Sequence, residues 1–548
     1  MATPRASTLG RTESVLLDLE LPGMVLRYTS GSEPISITNA AGRSLLYSPG
    51  FSRVSLERSP GSVGSGLPIQ IDAPDGVSWA RLRARGHRFE AMRAVVRHHY
   101  DGQTIEEAEA YEWGRVVDPS YGDESQPLTF KIERQLSASG SFPPPSHRID
   151  DQTFAVATID ERVYGSTYPV VFGHPGLVGG SIAAPTTPAY LVLFTTDVAT
   201  TNRWLIADGR VQAKGSTVTL YDIDDPSITP VALTVKEDKD LLGQWYSYVD
   251  SASWGGTTNK GNEFRVAWST TAAGGVWNAR RTAALRGAGE IMLYLLLTYA
   301  PWIRIDAGRM EAQRAFFDRY KFDIGTTKIV DAWPFILSNI LPMLPADIVE
   351  TSEGIYFQRR RLDATRTSIV GERLDSTPNT GNVYRTTKIS GGGGDVANRI
   401  TLRYGRGGTD QRYLRAVTID ATANSANTSA IASRRCAESQ RLFERPGRPG
   451  SGVRPLELES KVIYDDSTAR QVVQDKALEL ALPPELVKVS GGAELDAVDV
   501  NDAKLWNDDD LLVTDRVTVC RRKVISEDVV ELTLLLIVAP FGPDRVTS

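Results

Sequence analysis

The stretch from Arg454 to Ile537 constrains this chain most, because there the element types change in quick succession and the boundaries are spelled out. Pro455 to Tyr464 is an extended run. Asp465-Asp466-Ser467-Thr468 starts a helix expected over Ala469 to Leu482, and Pro483-Pro484 stops it. Ala469, Val472, Val473, Ala477, Leu480 and Ala481 fall at i, i+3, i+4 spacing, a stripe suited to packing on a sheet. Two strands follow. In the first, Leu511, Val513, Val517 and Val519 alternate with Thr514, Arg516 and Thr518, so one side is expected to face a core. The second is Val529 to Ile537. One small packed α+β unit is expected here, and it holds no catalytic constellation.

The rest of the chain reads as β-rich with a few helices. Short alternating runs of Val, Thr and Ile are broken by 47 glycines and 30 prolines. At roughly 150 residues per domain, 548 residues suggest about three or four domains. Strands are expected at Val25–Tyr28, Ile35–Ile37, Val54–Leu56 and Leu128–Ile132, with a turn at Gly102–Ala108 leading into a short ordered segment. This N-terminal β-rich barrel-like domain covers 1–140. Ser141-Phe142-Pro143-Pro144-Pro145-Ser146 is expected as a stiff connector. A β-rich insertion domain, 150–275, contains Tyr168–Gly173, Ala189–Phe194, a turn at Asp222–Pro226 and a hairpin loop at Lys260-Gly261-Asn262. A helical segment, 280–350, has helices at Arg286–Tyr299 and Met310–Tyr320. A third helix, Phe335–Leu341, is expected to be capped by Asp331 with Pro334 in its first turn. A further β-rich domain, 351–450, carries strands at Gly354–Phe357, Ile400–Tyr404 and Ala416–Ile419. It also holds the Gly391–Gly394 loop and ends at an Arg445–Gly450 connector. The last unit is 454–548.

Bulk properties exclude several classes. Hydrophobic residues make up 41% and charged residues 23%, ordinary for a globular protein. The net charge of -6 argues against a dedicated nucleic-acid binder. The start of the chain lacks the apolar core of a signal peptide. The most apolar run, Ile291 to Ala300, falls short of the roughly 20 residues a membrane span needs. Two cysteines, Cys436 and Cys520, build neither a disulfide framework nor a multi-cysteine metal site, and two reduced thiols are expected.

The order of segments resembles the tail hub (baseplate hub) proteins of tailed bacteriophages and related injection machines. The resemblance is carried by Glu459–Ala469 followed by Leu511–Val519. Upstream, Val396–Tyr404 looks like the family's preceding strand, and Trp333–Leu337 through Gly354–Tyr356 looks like its helix-then-strand insertion. The resemblance covers about the last 260 residues and is a pattern rather than a residue motif. It implies a β-rich α+β, multidomain chain with β-barrel-like hub domains and smaller α+β domains. It also implies a homotrimer in which two barrels per subunit make a pseudo-sixfold ring, adapting a sixfold tail tube to a threefold tip. The implied partners are a distal tail protein, the tape-measure protein and fibre or spike proteins, with DNA met only by passage through the lumen and no stable membrane insertion. The implied location is the distal end of the virion tail, after synthesis in the host cytoplasm. Some tail-tip hubs carry an iron–sulfur segment; two cysteines cannot supply its usual four thiolates.

No catalytic, cofactor-binding or metal residue is assigned, and each candidate has a plainer explanation. The histidines are His87, His98, His99, His147 and His174. His98 and His99, adjacent on a strand, point to opposite faces and cannot easily share one ion. No His-Glu-x-x-His motif is present. Glu106, Glu107, Glu109 and Glu112 read as a solvated acidic face rather than a glycosidase pair. Asn507-Asp508-Asp509-Asp510 lacks calcium-loop spacing and reads as a charged turn. Gly173-His174-Pro175-Gly176 and Gly61–Gly66 lack the strand–loop–helix setting of a phosphate loop or nucleophile elbow. Trp204, Trp245, Trp254, Trp268 and Trp277 are expected in the core, with a sugar-binding platform as the alternative. The function expected is therefore structural. A receptor- or carbohydrate-binding tail protein and a tail-associated wall hydrolase are the alternatives.

Overall fold

The computed structural model describes residues 13–537 except 22, 53–55, 59–66, 73–78, 90–91, 121–126, 134–139, 156–158, 180–181, 194–200, 212–213, 253, 255–260, 269–284, 302, 329, 352–353, 362–368, 370–372, 377–380, 391–395, 408–410, 423–429, 509–512 and 527–528. The chain is a β-rich α+β protein built from several sheets. The first sheet runs, in spatial order, Ile35–Thr38, Ser44–Pro49, Met24–Thr29, Glu13–Leu21, Arg93–Tyr100, Glu109–Ser120, Leu128–Glu133 and Leu67–Ile71. Its two sides meet: Phe51 bridges Ile71, the Ser52 amide donates to the Gln70 carbonyl (3.1 Å), and the Asp72 amide donates to that of Gly50 (2.8 Å). The sheet thus rolls into a barrel, which leaves fewer unpaired edge groups. Val15, Leu17 and Leu19, at period two, fill it together with Ile69, Val96 and Phe130.

A second rolled sheet comes from the other end of the chain. Its order is Leu374–Asp375, Ala503–Asp508, Val513–Ser526, Val529–Leu536, Glu485–Gly491 and Arg385–Ser390. The Val383 amide, two residues before the Arg385–Ser390 strand, donates to the Asp375 carbonyl (2.9 Å), so the two edges of the sheet approach each other at that end. The two sheets join through Leu56–Arg58, which pairs with Lys523–Ile525 of the long 513–526 strand. Their apolar interiors are continuous: Leu17, Val96 and Phe130 belong to the same buried cluster as Val489, Trp506, Leu532 and Leu534.

Between them in sequence lies an antiparallel seven-stranded sheet made by residues 187–268. Both faces are covered. Leu191, Trp204 and Ile206 enter one cluster, and their neighbours Val192 and Leu205 enter another. Such double burial requires nearly continuous apolar runs. The remaining core gathers helices Ala288–Tyr299, Ala307–Phe317, Ala430–Phe443 and Asp466–Leu480 around the three-stranded sheet Arg412–Ile419, Arg399–Gly407, Pro455–Glu459.

Several expectations are revised. Helix Asp466–Leu480 starts with Asp465 as its cap, the carboxylate accepting from the Thr468 amide (2.7 Å). Its stripe is buried at Ala469, Val472, Val473, Ala477 and Ala481. That stripe packs on the 399–407 and 412–419 strands, while strands 513–526 and 529–536 belong to the rolled-sheet core. Helix and strands of the C-terminal stretch therefore join different cores rather than one small unit. In the 513–526 strand, Thr518 is buried and bonds the Lys504 carbonyl. Asp515 is buried at positive φ, so the expected alternation is broken by an irregular turn of backbone. Ser141-Phe142 is no free connector: it pairs with Val330–Asp331, and Phe142 is fully buried. Asp331 precedes its helix without capping it, because its carboxylate accepts from the Ser141 hydroxyl (3.0 Å). The expected third helix is α-helical over Ala332–Phe335, widens to a π-helical turn at Ile336–Ile340 and tightens at Leu341–Met343. Ser338 and Asn339 donate to the Pro334 and Phe335 carbonyls, competing with the ladder there. The Gly391–Gly394 loop and Leu511-Leu512 lie outside the described residues.

Candidate functional site: the joints between the sheets

The polar residues that sequence reasoning singled out mostly serve local structure. Of those that hold the sheets together, His98 and His174 were singled out, but the ionic partners around them were not. At the junction of the two rolled sheets, Lys523 is wholly buried, its ammonium 2.5 Å from Asp496 Oδ1 and 2.6 Å from the Asp496 carbonyl. The Tyr100 hydroxyl donates to Asp496 Oδ2 (3.3 Å), and His98 Nδ1 stands 3.9 Å from the same oxygen. Strand 93–100 of the first sheet is thereby tied to strand 513–526 of the second. An unpaired charge at this depth would cost several kcal/mol, so the acid and base are mutually required.

A second joint links the rolled sheets to the helical core. Asp347, nearly buried, receives Arg360 (2.8 Å) and Arg521 (2.7 Å), and Asn501 donates to it (3.0 Å). Burial alone would raise its pKa, but the two guanidiniums more than reverse this and hold it below the usual carboxylate range. Arg360 also pairs with Glu479 of helix 466–480. A third joint surrounds Asp323, fully buried between the Arg286 guanidinium (2.8 and 3.1 Å) and the His174 amide (2.7 Å). Gly173, at φ +66°, passes so close that a Cβ there would lie 2.1 Å from Asp323 Oδ1. The Gly173–Gly176 turn is thus a close-packing feature.

Of the histidines, His98 and His99 are both buried on one strand and point apart. His98 faces Asp496, whereas His99 Nε2 lies 3.1 Å from the Gln103 carbonyl and its pKa is lowered by burial. His87 is half-buried. His147 Nδ1 meets Asp208 (2.9 Å), a hydrogen bond that raises its pKa. Among the described residues, no group of three or more His, Cys, Asp or Glu side chains could hold a metal ion.

Glu106 accepts from the Ala40 amide (2.8 Å) and Glu107 from the Thr104 amide (2.9 Å), so both order turns. Asn507 accepts from the Asp515 amide (2.6 Å) and Asp508 is buried; Asp509 and Asp510 lie outside the described residues, as do Gly61–Gly66 and Trp277. Trp204 and Trp268 are fully buried, and Trp254 packs edge-on against Trp204. Trp245 is 39% exposed, with the Arg210 guanidinium and Lys239 ammonium over its ring. Cys436 and Cys520 are free, buried in different clusters, and burial pushes both thiols up to about 12.

The carboxylates that line the described cavities are committed to structure. In a groove of about 410 Å³ between the end of helix 466–480 and the last strand, Glu479 is held by Arg360. In a second hollow, Asp465 caps its helix and Asp466 binds Tyr404 and Arg415. No helix among the described residues is long and apolar enough to cross a membrane.

No known protein-family profile and no curated protein matches the chain. Among solved structures it is similar to the tail protein from Neisseria meningitidis MC58, at 10% identity and TM-score 0.38, covering 95% of this chain and 96% of that one. It is also similar to the 43 kDa tail protein of prophage MuSo2 from Shewanella oneidensis (10%, TM-score 0.32, covering 96% and 98%). A chain of a native gene transfer agent virion gives 10% identity and TM-score 0.37, over 70% and 88%.

Proposed function

We propose that this protein is a structural, non-enzymatic component of a bacteriophage tail, the hub at the distal end of the tube, assembled as a homotrimer. The observation that carries the reading is the pair of rolled β-sheets from opposite ends of the chain, joined by strand pairing at 56–58 with 523–525 and filled by one apolar core. Three such protomers present six barrel-like units around an axis, which is what a sixfold tube requires of a threefold tip. The rigidity of the pair follows from the continuous core and the buried Lys523–Asp496 contact, so the two barrels move as one body. In this role the lumen passes DNA, one face of the ring docks a distal tail protein and the tape-measure protein, and the other presents fibre or spike proteins.

Sedimentation of the purified chain tests the ring. The reading requires a species of three times the 59.9 kDa chain mass. A single species of chain mass at every concentration, with native circular dichroism, contradicts it.

A further inference from the structure

The chain is acidic overall, yet one part of it is strongly basic. Residues 399–454 hold eleven arginines and no lysine against two aspartates and two glutamates, an excess of seven positive charges in a chain of net charge -6. Several of these arginines have structural duties. Arg403 pairs with Glu457, Arg415 with Asp466, and Arg435 donates to the Leu478 carbonyl. Arg454 lies over the Phe443 ring. Five others do not: Arg399, Arg434, Arg441, Arg445 and Arg448 are exposed and have no carboxylate partner among the described residues.

Their arrangement is built rather than scattered. Arg434 and Arg441 lie two turns apart on the outer face of helix Ala430–Phe443, about 10 Å along its axis. Beyond the helix, Arg445-Pro446-Gly447-Arg448-Pro449-Gly450 makes two successive turns. The Arg448 amide donates to the Arg445 carbonyl (3.0 Å) and the Ser451 amide to that of Arg448 (3.1 Å). Gly447 and Gly450, third in each turn, take the positive φ that a type II turn demands. The turns are held from both sides. Glu444 accepts from the Gly450 amide, the Ser451 hydroxyl accepts from the Arg445 amide, and buried Asn398 donates to Ser439 and to the Gly452 carbonyl. Asn398 also fixes the start of the 399–407 strand, where Arg399 stands exposed, so helix face, turns and strand start form one fixed surface. The exposed apolar residues on the helix, Ile431 and Leu442, stand singly. They line none of the described cavities.

We propose that this arginine face binds a polyphosphate backbone, making sequence-independent contact with nucleic acid. Guanidinium forks suit phosphate oxygens, and the fixed turns spare the backbone ordering that a mobile loop would undergo on binding. The inference stands on this surface alone and does not depend on the oligomeric state.

The test is binding of a random-sequence DNA duplex to the full chain, measured by fluorescence anisotropy over a salt series. Each phosphate contact contributes about 0.9 to the slope of log K against log salt, so the triple variant R441A/R445A/R448A is expected to lower the slope by about 2.7. The R441K/R445K/R448K variant is expected to keep the slope. All three side chains are exposed, so circular dichroism and thermal midpoint should match the parent. No duplex binding at about 50 mM salt, where backbone contacts are strong, overturns the proposal. So does an unchanged slope in the alanine variant, and so does binding of poly-L-glutamate without binding of the duplex.

Discussion

Lys523 lies inside the protein with no solvent contact, and Asp496 is what makes that tolerable. Replacing Lys523 with Met leaves the carboxylate buried without its cation, and the expected loss is about 3–5 kcal/mol in urea unfolding. The double variant K523M/D496L removes both charges and is expected to recover most of that loss. Equal destabilisation by single and double variants would show that the ion pair is not the reason. His147 offers a pH-dependent counterpart. Its hydrogen bond to Asp208 raises its folded pKa, so its stabilisation is complete below the unfolded value of about 6.5 and is lost as pH rises through the folded value. The thermal midpoint of H147Q should therefore fall below that of the parent at about pH 5 and approach it at about pH 9, the difference in stability at the lower pH being no more than about 1 kcal/mol for a partly exposed pair. A gap that widens with pH contradicts this. Such residues were not legible in the sequence. Tyr100 and Asp496 meet across a separation of 396 residues, and nothing local in Arg-His-His-Tyr or Ala-Glu-Leu-Asp marks either as buried.

Helix Asp466–Leu480 was the most legible element, and the reason is local chemistry. A capping carboxylate, an apolar stripe and a double proline all agree, so tertiary context had little to override. Asp465→Ala removes the cap from the Thr468 amide and hydroxyl and is expected to cost about 1 kcal/mol in unfolding. An unchanged unfolding midpoint would mean that the first turn does not need it. Other elements resisted reading. Strand Arg93–Tyr100 carries two arginines and two histidines, which conceal that six of its eight positions are buried. Helix Ala430–Phe443 was missed because serines and arginines interrupt its apolar side, where Ala432 and Cys436 are the inward residues. The segment after Pro334 departs from a regular helix through Ser338 and Asn339, whose side-chain bonds no apolar period reveals.

On the scale of the whole molecule, the β-rich class and many strand positions were legible, but the pairing of the chain's two ends was not. Strand periodicity says which face is apolar and not which other sheet it meets. The continuous core predicts that the two rolled sheets are lost together. Leu534→Ala, a cavity mutation expected to cost about 2–5 kcal/mol, should reduce amide hydrogen-exchange protection in Glu13–Leu21 and Arg93–Tyr100 as much as in Val529–Leu536. Protection lost only in the C-terminal strands would show two independent cores. The barrel pair is also the basis of the proposed ring, and rotational averaging of the assembled particle tests that most directly. Three copies of this chain around the axis at the distal end of the tail tube, with two barrels from each copy forming the ring wall, is the predicted result. The chain found elsewhere in the particle, or around the tube end in six copies with one barrel each in the wall, contradicts it.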